Sequence, residues 1–161
     1  MKERIKRYRP ISLQGQTVLI TGATSGIGEA CAWRFADEGC KLILVGRRRD
    51  RLVKLKSELM TEYRNSMIHI EALSVSDMSS VRALPYTIPS NFKEVDILIN
   101  NAGLALGLAP ANEINMEETE ITMDTNVLGL IAMCRALLPG MKERGRGHII
   151  NMGSIAGTSP L

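Results

Sequence analysis

Apolar residues recur along this chain with two different spacings. Short, nearly continuous apolar runs at 17–20 (TVLI), 41–45 (KLILV), 67–73, 95–99 and 148–152 predict strands buried on both faces. Between them the apolar positions take helical spacing. Ile27, Ala30, Cys31 and Phe35 mark a helix over 26–38, with Gly39 as its stop. Leu52, Leu55, Leu59 and Met60 mark a charged, amphipathic helix over 48–64, with Asp50 and Lys54 spaced to pair on its solvent side. A short helix or turn is expected over 77–84, ended by Pro85 and Pro89. Two more helices, at 116–123 and 125–144, precede Gly145 and Gly147. Met116, Met123, Met133 and Met141 read as core packing of these two helices.

Strands alternating with helices imply an α/β fold, a parallel sheet with helices on both faces. The predicted architecture is a doubly wound, Rossmann-like sheet of five strands in the order 3-2-1-4-5, stopping short of the last strands. Residues 15–161 form this domain, and residues 1–14 form a basic arm ahead of it. In such a sheet a ligand sits above the carboxyl ends of the first and fourth strands. The turns at 22–28 and 100–103 then rim one crevice.

Charge and composition narrow the partners. The net charge of +3 is unevenly placed, because residues 1–10 alone carry +4 and the remaining 151 sum to −1. The folded part is not basic, which argues against nucleic acid as a partner. The richest apolar run, 127–139, is interrupted by Arg135 and falls short of the roughly 18 residues that span a bilayer. Three scattered cysteines (Cys31, Cys40, Cys134) suggest a reduced, cytoplasmic protein. No cysteine or histidine cluster proposes a metal, and His69 and His148 sit alone in strand-like runs.

The candidate chemistry starts at the first turn. Gly22, Thr24, Ser25, Gly26, Ile27 and Gly28 lie between a buried strand and a helix start. Glycines there let backbone approach a pyrophosphate, and the helix N-terminus offers N–H groups and a positive dipole end. Glycines also serve plain turns, so the second strand matters. It ends Val45-Gly46-Arg47-Arg48-Arg49, without the acid that normally holds a ribose 2′-hydroxyl. Arginine forks there suit a 2′-phosphate, which points to NADP(H) rather than NAD(H).

Read together, these residues resemble the short-chain dehydrogenases/reductases. Thr21-Gly22-x-x-x-Gly26-x-Gly28 is similar to that family's cofactor turn, and Asn100-Asn101-Ala102-Gly103 to its motif after the fourth strand. Asn126 stands where the family has its active-site asparagine, and Ser154 where it has its catalytic serine. Asn100 to Gly107, Leu138 to Met141 and Gly147 to Asn151 further resemble the NADP-dependent 3-hydroxy acid dehydrogenases.

The resemblance implies an enzyme that moves hydride between NADP(H) and a small alcohol or carbonyl, assembled as a homo-oligomer. It implies that Ser154 hydrogen-bonds the substrate oxygen and that Asn126 distorts its helix and anchors a water. Asn101, Ala102 and Gly103 lie under the cofactor, with Asn101 bracing backbone. Two departures stand out. Ser74 replaces an acid that contacts adenine, and no Tyr-x-x-x-Lys acid/base pair follows Ser154 within these residues. Without that pair the chain is expected to be inactive alone. Three readings therefore remain: part of a dehydrogenase, a non-catalytic form that binds NADP(H) or a sibling subunit, and a sugar-nucleotide epimerase-type relative. The 100–103 motif counts against the third.

Overall fold

The strand runs owe their continuous apolar character to a sheet covered on both sides. The structure, a computed structural model, describes residues 11–64, 66–107, 109–110 and 112–154. Five parallel strands, β1 (Thr17–Thr21), β2 (Lys41–Gly46), β3 (Ile68–Ala72), β4 (Val95–Asn100) and β5 (His148–Asn151), lie in the order β3-β2-β1-β4-β5. Successive strand residues feed two separate cores. Val18, Ile20, Leu42, Leu44, Ile97 and Ile99 pack with residues of α1 (Gly26–Asp37) and α2 (Arg49–Glu62). Leu19, Ile43, Val45 and Leu98 pack with residues of α3 (Met78–Thr87) and α5 (Leu130–Glu143) on the other face. This is the doubly wound Rossmann-like fold that the alternation predicts. At the start of the domain Leu13 packs on the first core, and the Gly15 N–H donates to the Gly39 carbonyl at 2.9 Å. Most of the basic arm, residues 1–10, lies outside the described residues.

Four local expectations change. First, α3 continues through Pro85 to Thr87. Pro85 lies in its last turn, and beyond it the Ile88 N–H and the Thr87 hydroxyl both bond to the Leu84 carbonyl, at 3.1 and 3.2 Å. The end is therefore secured without the proline's missing donor. Its start is capped by Asp77, whose carboxylate accepts the N–H groups of Ser79 and Ser80 at 3.0 and 3.2 Å. The Ser79 and Ser80 hydroxyls join these bonds, and together they hold that carboxyl well below the usual range. Second, Lys54 pairs one turn forward with Glu58 at 3.7 Å, rather than back to Asp50.

Third, Met133 and Met141 are buried, but Met116 and Met123 are exposed, so only half the methionine stripe packs a core. Fourth, α4 (Met116–Met123), a π-helical stretch (Asp124–Gly129) and α5 form one continuous run. That 28-residue run is long and apolar enough to cross a membrane by length and composition, which reading 127–139 alone did not show. One side of it is committed to the sheet, through Met133, Leu137 and Met141. It is built as a layer of this fold.

Candidate nucleotide-binding site

Two strand ends make the floor of the site. β1 runs out at Thr21 into the glycine turn, and β4 runs out at Asn100 into residues 101–104. The Thr21 hydroxyl donates to the Ile99 carbonyl at 3.3 Å and accepts the N–H groups of Asn101 and Ala102, each at 3.0 Å. The Asn101 side-chain amide donates in turn to the carbonyls of Thr21 (3.1 Å) and Gly22 (3.2 Å). Asn101 thus braces the first turn from beneath. Gly28 lies against this lattice, and a β-carbon there would collide with the Gly22 carbonyl and the Asn101 amide nitrogen. Gly26 has the opposite surroundings. It turns the chain at φ +57°, and nothing lies within 4 Å of where its β-carbon would stand.

A cleft of about 300 Å³ opens above these turns. Gly22, Thr24, Ser25, Ile27, Arg47, Arg48, Asn101, Ala102 and Gly103 line it, all of them nominated by the sequence. Val45, Gly46, Leu73, Ser74, Val75, Leu104 and Thr125 complete the lining. Ser25 caps α1 without accepting any hydrogen bond through its side chain, so the hydroxyl does not compete for the helix's first N–H groups. The turns after β1 and β2 are tied together. The Ala23 N–H donates to the Val45 carbonyl at 3.1 Å, and the Arg48 guanidinium donates to the Thr24 hydroxyl at 3.0 Å. Among the described residues neither Arg47 nor Arg48 pairs with a carboxylate. Both are exposed, and they make one wall of the cleft cationic. Ser74 hydrogen-bonds the Ser76 hydroxyl at 2.8 Å.

Asn126 and Ser154 stand on different elements. Asn126 lies in the π-helical stretch, where the helix widens locally. Its amide oxygen accepts the Leu104 N–H at 2.9 Å, and its amide nitrogen donates to the Leu104 carbonyl at 2.7 Å. It clamps the loop that leaves Gly103. Ser154 is exposed, three residues beyond the end of β5, and does not line the cleft. Three further residues, named in the sequence motifs without a role, shape this end of the sheet. Thr21 is one. The others are Asn100 and Asn151, joined at 2.9 Å across the ends of β4 and β5, with Asn100 also donating to the Cys134 sulfur at 3.3 Å. Their signal was available: each is a polar residue closing an otherwise apolar run.

A glycine turn between a parallel strand and a helix, a second braced turn beside it, and a cationic wall at the switch point define a dinucleotide-binding domain of Rossmann type. A family model described as short chain dehydrogenase matches residues 16–161, and the chain belongs to that family. It is 48% identical over 143 residues to the NADP-dependent 3-hydroxy acid dehydrogenase YdfG of Salmonella typhi, covering 89% of this chain and 56% of that protein. It is 45% identical over 144 residues to sulfoacetaldehyde reductase 2 of Chromohalobacter salexigens, with the same two coverages, 89% and 56%. Among solved structures, the closed form of serine dehydrogenase complexed with NADP+ matches with a TM-score of 0.84 at 45% identity, over 91% of this chain and 57% of that one. The chain spans a little over half the length of the curated relatives it matches.

Proposed function

We propose that this chain supplies the NADP(H)-binding part of a short-chain dehydrogenase/reductase that interconverts a hydroxyl and a carbonyl, with a 3-hydroxy acid as substrate class. The observation that carries this reading is the cationic wall of Arg47 and Arg48 at the end of β2, with no carboxylate pairing either residue among the described residues. Guanidinium forks match a 2′-phosphate, whereas a bare 2′-hydroxyl is held by an acid. The names of the relatives above support the same cofactor and substrate class.

The residues fit that cofactor. The open space over Gly26 and the head of α1 suit a pyrophosphate, and Arg47 and Arg48 suit the 2′-phosphate. Asn101, Ala102 and Gly103 form the floor. NADP(H), when bound, supplies the hydride, and the protein orients it. In this chain Asn126 holds the loop after Gly103 through Leu104; Ser154, outside the cleft here, would hydrogen-bond the substrate oxygen once an acid/base pair is supplied. The 161 residues contain no Tyr-x-x-x-Lys, so by themselves they bind cofactor without turning it over. The exposed Leu128, Ile131 and Leu138 support a homo-oligomer for the full-length form, and the free cysteines support a cytoplasmic location.

Titrating the chain with NADPH and NADH tests the reading. NADPH is expected to bind about tenfold more tightly, the scale of one charge-assisted contact. The double change Arg47→Asp, Arg48→Ala reverses the order. Equal affinities in the parent chain overturn the cofactor assignment.

A further inference from the structure

We propose that Thr24 sets the dinucleotide preference of this site by positioning Arg48, without itself needing to touch the phosphate. The inference rests on the NADP(H) reading above and gives it a mechanism. Thr24 lies on the turn after β1 and Arg48 on the turn after β2, 24 residues apart, yet the Arg48 Nη2 donates to the Thr24 hydroxyl at 3.0 Å. The Thr24 side chain is itself held. Its methyl carbon sits 3.2 Å from where a β-carbon would stand at Gly46, so a side chain at the end of β2 would crowd this seat by a few tenths of an ångström. A β-branched side chain is restricted at χ1, which narrows the directions its hydroxyl can take.

The consequence for Arg48 is preorganisation. A free, exposed arginine samples many rotamers and loses that freedom when it grips an anion. Here one of its five N–H groups is spent on Thr24, and the rest remain for a phosphate. Arg47, by contrast, has no side-chain hydrogen bond among the described residues and contributes charge from an unanchored position. Because the Thr24 bond acts only through Arg48, its loss should be felt by the nucleotide carrying the 2′-phosphate and not by the one lacking it.

The experiment titrates the parent chain and the variants Thr24→Val, Thr24→Ser, Arg48→Ala and Thr24→Val/Arg48→Ala with NADPH and NADH. Thr24→Val keeps the shape and removes the hydroxyl. It should weaken NADPH binding roughly five- to tenfold and change NADH binding less than about twofold. Retained NADH affinity also shows that the variant folds. Thr24→Ser keeps the hydroxyl and should stay within about twofold of the parent for both nucleotides. On the Arg48→Ala background, Thr24→Val should have no further effect. The proposal is overturned if Thr24→Val leaves NADPH affinity intact, weakens both nucleotides alike, or acts equally without Arg48. It is also overturned if Thr24→Ser falls as far as Thr24→Val, because the methyl seat would then be the cause. A parent chain with no NADPH preference removes the cofactor reading itself. A preference erased by Arg48→Ala but untouched by Thr24→Val removes only the role of Thr24.

Discussion

Thr21 is almost fully buried at the end of β1, and its single hydroxyl satisfies three backbone groups of the neighbouring strand end and turn. Replacing it by valine keeps the volume and leaves the Asn101 and Ala102 N–H groups without that acceptor. The expected loss is about 3 kcal/mol of unfolding free energy, measured by denaturant titration against the parent. Thr21→Ser should lose much less. Cys40 makes a different kind of prediction. Burial first, then the carboxylates of Glu38 and Asp96, push its thiol from the ordinary 9.0 up to about 11. The folded chain therefore holds this proton more tightly than the unfolded chain. Below pH 9 both states are protonated and the group is neutral toward stability. Between pH 9 and about 11 the unfolded state ionises first, and stability falls as pH rises. Cys40→Ala should flatten that part of the stability profile relative to the parent. Neither effect was legible from spacing, because each depends on neighbours from other strands and loops.

At the scale of elements, the helical run 116–143 shows what periodicity reads well and what it misses. The range expected for α4 holds, and the structure adds that Asn115 caps its start, accepting the N–H groups of Glu117 and Glu118 at 2.9 and 3.4 Å. Asn115→Ala should lower stability by about 1 kcal/mol, read from the denaturation midpoint, while Asn115→Asp preserves it. The π-helical widening at 124–129 was not visible as an apolar pattern. It coincides with Asn126, whose amide is engaged with both backbone groups of Leu104. An asparagine early in a helical stretch usually caps it. Only the returning loop shows that this one clamps a different segment. Pro85 is the converse case. A proline signals a helix end, but the missing donor matters little in a last turn whose closing bonds come from the residues after it.

For the whole molecule, the sheet order was legible because two-sided burial makes each strand a continuous apolar run, and parallel strands need helical crossovers. Surface consequences follow from the same layering. β5 is an edge strand, with His148 and Asn151 exposed, and the outer face of the long helix presents Leu128, Ile131 and Leu138. Ile131 alone is 54% exposed on a helix whose opposite side is sealed on the sheet. These 161 residues should therefore associate in a concentration-dependent way by sedimentation velocity, and Ile131→Glu should shift them toward monomer. A parent chain that stays monomeric across the accessible concentration range would count against that face as a contact surface.

Periodicity by itself decided the class of fold and, through the alternation of strands and helices, the order of the strands and the covering of both sheet faces, because burial is a local preference written residue by residue; the glycine turn was read from its own residues. The arginine pair and its missing acid were local as well, and the proposed NADP(H) preference rests on them. What only the tertiary structure decided are the bonds between residues far apart in the chain. Thr21 meets Asn101 across 80 positions and Asn126 meets Leu104 across 22. Arg48 meets Thr24 only because β1 and β2 lie side by side. A hydrogen bond needs donor and acceptor within about 3 Å at the right angle. No pattern of apolar and polar positions carries that information until the chain has closed on itself.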